Sequence, residues 1–485
     1  MMNKLKSKSL KFATLAIFSM IVVSSCERDI SSDVVPATFP NTGEIYTDAP
    51  VSLTDEFFIS FDPAGGANTN GFGTDENEAF LGSSSIRIDV PAANDPDGGF
   101  IGGIFRDRGN GRDLTNYDAL TFWAKGSTTG TIGQVGFGTD FLNGQYPASR
   151  ANIQLSTDWR KYIVPIPDPS KLVQERGVFL FAAGGVDIVD NIPNGNEIGW
   201  TFWLDEIKFE KLGTIAQPRP AIFNGSDIIQ STFNSTTIEI TGLTQTFNVG
   251  TGADVTVSAS PAYFTFQSTE QGVAVVNQDE ATVSVISEGE SVITARLAGV
   301  EAEGSLKVVS AGDFPQPPIP TIPQSDVISL FSNSYDDVPV DTFRADFGST
   351  GFEFISVDGN DVLSYSSLDF VGVQFQNPTV DASDMDFMHM DLFTTSTTSN
   401  NFVIQIRDRG ANGEINTNIF TGQPEQDDKE KRFTLIPSDL TQGQWISIDI
   451  PLNGGLASQK NNLAQLVFVG DIDFIADNLY FYKQQ

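Results

Sequence analysis

Short runs in which apolar and polar residues alternate recur along most of this chain. Clear examples are ATVSVIS at 281–287, SVITARL at 291–297 and FVIQIRD at 402–408. A period of two places successive side chains on opposite faces of a β-strand. Turn formers are abundant between these runs, with 44 Gly and 24 Pro, and no long heptad pattern is present. The pattern therefore predicts an all-β protein.

Two proline-rich segments divide the chain. One is IAQPRPAIF at 215–223, and the other is DFPQPPIPTIPQSD at 313–326. The second favours an extended, semi-rigid spacer. The predicted divisions are a module at 41–212, a small sandwich at 218–311, a proline-rich linker at 312–325 and a module at 326–485.

The two outer modules have matching sequence segments in the same order. FIGGIF at 100–105 matches FVGVQF at 370–375, and WRKYIVPIP at 159–167 matches WISIDIPLN at 445–453. Order and spacing hold along both copies, which indicates an internal duplication. Strand-rich copies with long loops predict two jelly-roll β-sandwiches that flank the central module.

The N-terminus has the features of a secretion signal. A basic stretch and the apolar run FATLAIFSMIVV precede VSSC, and Cys26 is the only cysteine of the chain. This arrangement resembles a bacterial lipobox, which implies that residues 1–25 are removed, that Cys26 is acylated and that residues 26–40 form a tether. The alternative is an ordinary signal peptide with an incidental cysteine.

The charge of the chain restricts its partners. The formal net charge is −34, and removing residues 1–25, with four lysines and no acids, gives −34 − 4 = −38. Such a chain repels nucleic acid and anionic bilayers, and it would also repel sulfated or uronic-acid glycans. A neutral partner is favoured.

Several segments resemble known families. Residues 326–485, with DVISLFSNSYDDVPVDTFRADF and SLDFVGVQF, resemble the accessory module of laminarinases and other glycan proteins of marine Bacteroidota, although Phe343 and Phe347 stand where tryptophan is expected in relatives. SEGESVITARLAGVEAEGSLKVV at 287–309 resembles bacterial Ig-like domains, so the central module is interpreted as a spacer. Residues 41–212 more loosely resemble carbohydrate-binding jelly rolls.

The overall layout is similar to surface glycan-binding lipoproteins of polysaccharide-utilisation loci. The resemblance implies a lipid-anchored protein of the outer-membrane surface that binds laminarin, a β-1,3-glucan, and delivers it to a neighbouring outer-membrane transporter. A structural or adhesive Ig-like lipoprotein is the alternative, and a glycoside hydrolase is a further one.

Alternation within the strands of the C-terminal module suggests a polar, sugar-binding face. If the strands are neighbours, one face combines amides, a carboxylate and a guanidinium, which suit a hydroxyl-rich ligand. An ordinary solvated sheet face is the alternative. The candidate residues are Gln374, Gln376, His389, Asp391, Gln405 and Arg407.

The N-terminal module offers three further candidates. Trp123 alternates outward from Leu120 and Phe122, where it would stack on a pyranose ring or else be covered by a loop. The tetrapeptide RDRG occurs after an apolar run in each copy, which makes Arg106 and Arg407 independent candidates for contacting sugar hydroxyls. Asp140 lies in the stretch that matches the second RDRG and joins the set.

Catalysis and metal binding have weaker support in the sequence. No compact Glu-x-Asp-x-x-Glu strand is present, a serine triad would depend on His389 alone, and one histidine excludes a histidine cluster. The sequence therefore predicts a protein that is not an enzyme and needs no cofactor. Acidic turns such as DPDGG and DRGANGE provide oxygen ligands for a structural Ca²⁺, without the spacing of an EF-hand.

Overall fold

A computed structural model describes residues 39–484, except for 55, 141–144, 185–187, 190–191, 194–197, 346, 397 and 419–421. The described residues form strands that are joined by turns and by short 3-10 helices, which confirms the all-β prediction. No helix in this part of the chain is long and apolar enough to cross a membrane. Cys26 and the signal segment lie outside the described residues. The 3-10 helices are Pro63–Gly65, Pro169–Lys171, Phe223–Gly225, Pro261–Tyr263, Gln324–Asp326, Pro437–Asp439 and Gly454–Leu456.

The N-terminal module is a sandwich of two antiparallel sheets. The first N-terminal sheet has the order β3-β4-β13-β6-β9, with β1 paired to β13, and the second has the order β8-β7-β10-β5-β2. Strands β11 and β12 form a separate hairpin. The strands are β1 (Glu44–Tyr46), β2 (Phe58–Ser60), β3 (Phe72–Asp75), β4 (Ser85–Val90), β5 (Phe100–Arg106), β6 (Ala119–Gly126), β7 (Thr131–Phe137), β8 (Ala148–Gln154), β9 (Arg160–Pro165), β10 (Gly177–Gly184), β11 (Ile188–Val189), β12 (Ile192–Pro193) and β13 (Trp200–Glu210).

The central module continues the second N-terminal sheet. Strands β14, β17 and β18 extend that sheet to eight strands, because β18 pairs with β8 across the predicted module boundary. The remaining strands form the sheets β15-β24-β22-β19, with β23 paired to β22, and β16-β21-β20. The strands are β14 (Ala216–Ala221), β15 (Asp227–Thr232), β16 (Thr237–Glu239), β17 (Thr244–Asn248), β18 (Asp254–Ala259), β19 (Phe264–Ser268), β20 (Ala274–Asn277), β21 (Thr282–Val285), β22 (Gly289–Leu297), β23 (Val300–Glu301) and β24 (Ser305–Ser310).

The C-terminal module repeats the sheet orders of the N-terminal sandwich. Its first sheet has the order β26-β27-β34-β29-β32, with β25 paired to β34, and its second has the order β28-β33-β30-β31. These orders correspond to those of the N-terminal module, except that, among the described residues, a single bridge between Thr342 and Gln374 stands at the place of the edge strand β2. The strands are β25 (Val327–Phe331), β26 (Gly351–Val357), β27 (Asn360–Ser366), β28 (Phe370–Gln374), β29 (Phe387–Phe393), β30 (Phe402–Asp408), β31 (Lys429–Leu435), β32 (Trp445–Pro451), β33 (Leu463–Val469) and β34 (Phe474–Tyr482).

Both copies have the same irregularity in their last strand. Glu206 and Asn478 occupy matching positions and have positive φ values of 47° and 53°. Each follows a buried aspartate, Asp205 or Asp477, whose side chain accepts a hydrogen bond from the next backbone N–H. Burial raises the pKa of Asp477 to about 6. A shared bulge at a buried acid supports the duplication independently of sheet order.

The sandwich cores follow the alternation read from the sequence. Met388, Met390 and Leu392 of β29 are fully buried, as are Leu120 and Phe122 of β6. One apolar cluster is shared by the N-terminal and central modules, and a second fills the C-terminal module. Each strand therefore presents its other side chains on an outer sheet face, and any binding site on a sheet is built from those.

Candidate functional site

The polar residues predicted to share one face of the C-terminal module lie on two different sheets. Each strand alternates as predicted, but β29 belongs to the first C-terminal sheet, whereas β28 and β30 belong to the second. The two sets therefore lie on opposite sides of the sandwich, and the prediction of one continuous polar face is wrong. The outer face of the first sheet has His389 and Asp391, and that of the second has Gln374, Gln405 and Arg407.

Gln376 belongs to neither set, since it follows the end of β28. Its backbone N–H donates to the Asp341 carboxylate, and its side chain is half-buried.

Arg407 is buried beneath the loop that joins β30 to β31. Its Nε donates to Glu430 Oε2 at 3.0 Å, and its Nη2 donates to Gln405 Oε1 at 3.1 Å and to the carbonyl of Gly422 at 2.6 Å. Its Nη1 donates to the Thr417 hydroxyl. Only 6% of the side chain is exposed. Arg407 thus fastens the loop to the sheet, and this geometry favours a positioning role over direct sugar contact.

His389 forms a charged cluster on the outer face of the first C-terminal sheet. Its Nδ1 lies 2.8 Å from Asp449 Oδ1, its Nε2 lies 3.5 Å from Asp391 Oδ1, and its ring stacks on Tyr480. Burial alone would lower the pKa of His389, but hydrogen bonds to Asp391 and Asp449 and their charges raise it above its ordinary value.

The proline-rich segment lies across this His389 face. Residues 318–322 close one side of a cleft of about 220 Å³, whose other walls are His389, Asp391, Ser447, Asp449, Tyr480 and Tyr482. The carbonyl of Pro318 accepts a hydrogen bond from Asn478 Nδ2 at 3.1 Å. The chain itself therefore occupies much of the face that the sequence assigned to ligand.

The outer face of the second C-terminal sheet has aromatic rings, although Gln405 on this face is only 5% exposed. The rings of Phe347 and Phe370 stack with their centroids 5.7 Å apart and their planes 15° apart, and Phe370 is 41% exposed. Strand pairing places Gly372, Val467, Gln405 and Arg432 in one row across the four strands, and Phe370, Val469, Val403 and Thr434 in the next. We call this surface the phenylalanine face. Apolar rings beside amide and guanidinium donors are the groups that bind a pyranose.

The phenylalanine face was only partly predicted. Alternation within the strands indicated Gln374 and Gln405, and the family resemblance drew attention to Phe347, but neither pointed to Phe370 or Arg432. The glycine inside β28 was an available signal, because a glycine within a strand marks a close approach by another group. Here that group is the ring of Phe347.

Trp123 lies on the outer face of the first N-terminal sheet, as predicted, but a loop covers it. Phe80 stacks on its ring with the centroids 3.6 Å apart and the planes 11° apart. The Asp205 carboxylate holds this loop by accepting the backbone N–H groups of Phe80 and Leu81 at 2.8 and 3.1 Å. Of the two outcomes left open by the sequence, the structure shows the covered one.

Arg106 and Asp140 meet at the end of β5. Arg106 Nε lies 2.9 Å from Asp140 Oδ1, and Arg176 Nε lies 3.6 Å from Asp140 Oδ2. A cleft of about 380 Å³ next to them is lined by Asp140, Glu175, Arg176 and Tyr146, among others. The two sequence candidates are thus brought together as an ion pair at one end of the second N-terminal sheet.

Across the described ranges, no group of three His, Cys, Asp or Glu side chains is arranged to hold a metal ion. The Ca²⁺ site suggested by the acidic turns therefore stays a prediction. The DRGANGE turn illustrates how its acids are used: Asp408 accepts N–H groups from Gly410, Gln459 and Asn462.

The N-terminal module is similar to known carbohydrate-binding domains. Residues 48–211 match the profile of the family Carbohydrate binding domain 30. No curated protein matches the chain. The family match covers the module in which the sequence showed the looser of the two carbohydrate-related resemblances.

Solved structures give similarities of the same kind. A family 30 carbohydrate-binding module is 17% identical, covers 35% of this chain and 87% of its own, and has a TM-score of 0.26. The family 30 module of a cellulosomal cellulase of Clostridium thermocellum is 14% identical over 36% of this chain and 95% of its own, with a TM-score of 0.23. The CBM22-1-CBM22-2 tandem domain of Paenibacillus barcinonensis Xyn10C is 10% identical over 93% of this chain and 100% of its own, with a TM-score of 0.23. The match at 48–211 supports a carbohydrate-binding protein. The matched family consists of binding domains rather than catalytic domains.

Proposed function

We propose that this protein is a non-catalytic, lipid-anchored protein of the outer-membrane surface that captures a neutral polysaccharide and passes it to an uptake transporter. The favoured ligand is laminarin. The family match at 48–211 supports carbohydrate binding by the N-terminal module. The C-terminal module repeats the same sheet order and is proposed to share that activity.

The observation that carries the proposal is the phenylalanine face. Phe347 and Phe370 provide stacked rings, and the exposed guanidinium of Arg432 lies on the last strand of the same sheet, in one row with Gly372 and the largely buried Gln405. An aromatic plane beside fixed polar groups binds a sugar through its apolar face and its hydroxyl rim together.

The net charge of the chain restricts the kind of polysaccharide that it can bind. A net charge of −38 after removal of the signal segment opposes binding of polyanionic glycans, so a neutral glucan is the expected partner. The choice of laminarin rests on the resemblance of residues 326–485 to the accessory module of laminarinases. The surface location and the transporter rest on the lipobox at Cys26 and on the overall layout.

Affinity electrophoresis of the full chain tests the proposal. Laminarin in the gel should retard the protein, a uronic-acid polysaccharide should not, and Phe370→Ala should weaken retardation by up to about tenfold in affinity. Absence of a shift with laminarin and with every other neutral glucan would contradict the proposal and favour the structural or adhesive alternative. Release of reducing sugar from the glucan would instead indicate a glycoside hydrolase.

A further inference from the structure

The central module is attached to the N-terminal module by more than a covalent link. Strand β18 pairs with β8 through Ser258–Ser149 and Ala259–Ala148. Beyond the strand, the Ser260 N–H donates to the carbonyl of Pro147 at 3.0 Å, and Ser260 Oγ donates to the carbonyl of Gln145 at 2.9 Å. The two modules also share one continuous apolar core. Such a junction resists bending because bending would break sheet hydrogen bonds and open the core.

Phe314 fills the junction between the central and C-terminal modules. It is 5% exposed, and its ring centroid lies 4.7 Å from that of Phe233 of the central module. On the other side, it lies 5.8 Å from Phe393 and 5.6 Å from Trp445 of the C-terminal module. Burial of this large apolar side chain between the two modules favours their contact, so Phe314 holds them together.

The residues after Phe314 are bound along the C-terminal module. The carbonyl of Pro315 accepts a hydrogen bond from Trp445 Nε1, and that of Ile322 accepts one from the Tyr335 hydroxyl at 2.8 Å. Gln316 Nε2 donates to the carbonyl of Val357 at 3.3 Å. A segment rich in proline is stiff before it binds, so less conformational entropy opposes this attachment. The segment that the sequence presented as a spacer is a strap on the C-terminal module.

We propose that Phe314 and this strap fix the relative positions of the two carbohydrate-binding modules, so that the protein selects long polysaccharide chains by binding one chain at both modules. This inference rests on the proposed function. After the first module binds, the second meets the same chain at a high effective concentration. Fixed spacing preserves that advantage for polymers long enough to reach both modules, and short oligosaccharides gain nothing from it. Phe314 is thus a positioning residue for chain-length specificity.

Calorimetric titration of the full chain with a laminarin-derived length series tests this inference. The wild-type protein should bind the polymer at least about a hundredfold more tightly than a short oligosaccharide. Phe314→Ala should reduce polymer affinity about tenfold and leave oligosaccharide affinity unchanged, while Phe314→Leu should restore most of the loss. Ile319→Ala is the matched control, because Ile319 lies in the same strap but is 82% exposed.

A second variant distinguishes loosening of the junction from a general folding defect. Phe233→Ala removes the ring on the central-module side of the same junction and leaves the strap intact. It should therefore reproduce the loss of polymer affinity. Small-angle X-ray scattering should show both alanine variants as more extended or more variable in shape than the wild type. Equal length dependence in the wild type and in both variants would overturn the inference. Failure of the wild type to bind either ligand would refute the proposed function instead.

Discussion

The ring of Phe347 lies directly over Gly372, with its Cζ atom 2.3 Å from the point that a β-carbon on Gly372 would occupy. The N-terminal module has the matching arrangement, in which Phe61 Cδ2 lies 3.0 Å from the corresponding point on Gly102. Both glycines occupy the third position of their strand segments, FVGVQF and FIGGIF. The duplication has therefore kept a ring over a glycine on the outer face of each second sheet.

Gly372→Ala should disturb this ring without unfolding the module. The added methyl group meets the far end of the Phe347 side chain, which can rotate away, so we expect a small loss of stability and a loss of glucan affinity of up to about tenfold as the stacked pair separates. Calorimetry and affinity electrophoresis on the same sample measure both. Gly102→Ala is the contrast: its methyl group meets the backbone oxygen of Phe181 at 2.6 Å, which should destabilise the N-terminal module by about 1–3 kcal/mol. Unchanged glucan affinity in Gly372→Ala would exclude Phe347 from the ligand site.

Arg407 and Arg432 contact the same carboxylate, but their replacement should affect different properties of the protein. Arg407→Ala leaves the buried Glu430 without its close partner, and we expect a loss of about 3–5 kcal/mol in the free energy of unfolding. Arg432 is 43% exposed and lies 3.5 Å from Glu430, so Arg432→Ala should change stability by less than about 0.5 kcal/mol while weakening glucan binding. Denaturant unfolding and titration with laminarin separate the two effects. Weaker binding by Arg407→Ala at unchanged stability would instead identify Arg407 as a direct ligand contact.

Local alternation predicted the inward and outward sides of single strands, whereas the assignment of strands to sheets required the fold. His389 and Gln405 both alternate outward. A two-residue period gives the side of the strand on which a residue lies, but it does not show that β29 and β30 belong to different sheets. The duplication was visible because equivalent strands keep equivalent apolar spacing. The sequence thus allowed the all-β architecture to be predicted but not the grouping of its polar residues.

The sequence also did not predict that distant segments of the chain cover two of the sheet faces. Phe80 lies 43 positions from Trp123, and Pro318 lies 71 positions from His389, yet each covers its partner's sheet face. Contacts of this kind depend on loop conformation, which has no periodic signal. The sequence is therefore compatible both with a sugar-stacking Trp123 and with a covered one, and the loop that contains Phe80 makes it the covered one.

Glu175 should make the N-terminal module less stable as the pH rises. Burial raises its pKa from 4.5 to about 7, although N–H groups of Arg176 and Gly177 bind the carboxylate. The unfolded chain then binds fewer protons than the folded chain between these values, so stability falls as the pH increases from about 4.5 to 7, by up to about 3 kcal/mol. Glu175→Gln should remove this fall and be the more stable protein at pH 8. Four of the five tryptophans lie in this module, so fluorescence-monitored unfolding reports on it.

The neutral neighbour Gln174 supplies the control for that experiment. Gln174→Ala should keep the wild-type slope of stability against pH, because no proton is gained or lost at that side chain. A wild-type slope that persists in Glu175→Gln would assign the pH dependence to another group.

His389 should act in the same direction in the C-terminal module, at higher pH. Its pKa is raised above 6.5 by Asp391 and Asp449, so the stability contributed by the charged imidazole is fully present below pH 6.5 and is lost as the pH rises through the folded-state value. It is the only histidine, so one imidazole signal in an NMR titration reports its midpoint directly. The midpoint should lie above 6.5 in the wild type and fall in Asp449→Asn, because burial then opposes the charge with one carboxylate fewer. Asp381→Asn, on an exposed turn of the same module, should leave the midpoint unchanged. A wild-type midpoint at or below 6.5 would show that burial outweighs the two carboxylates.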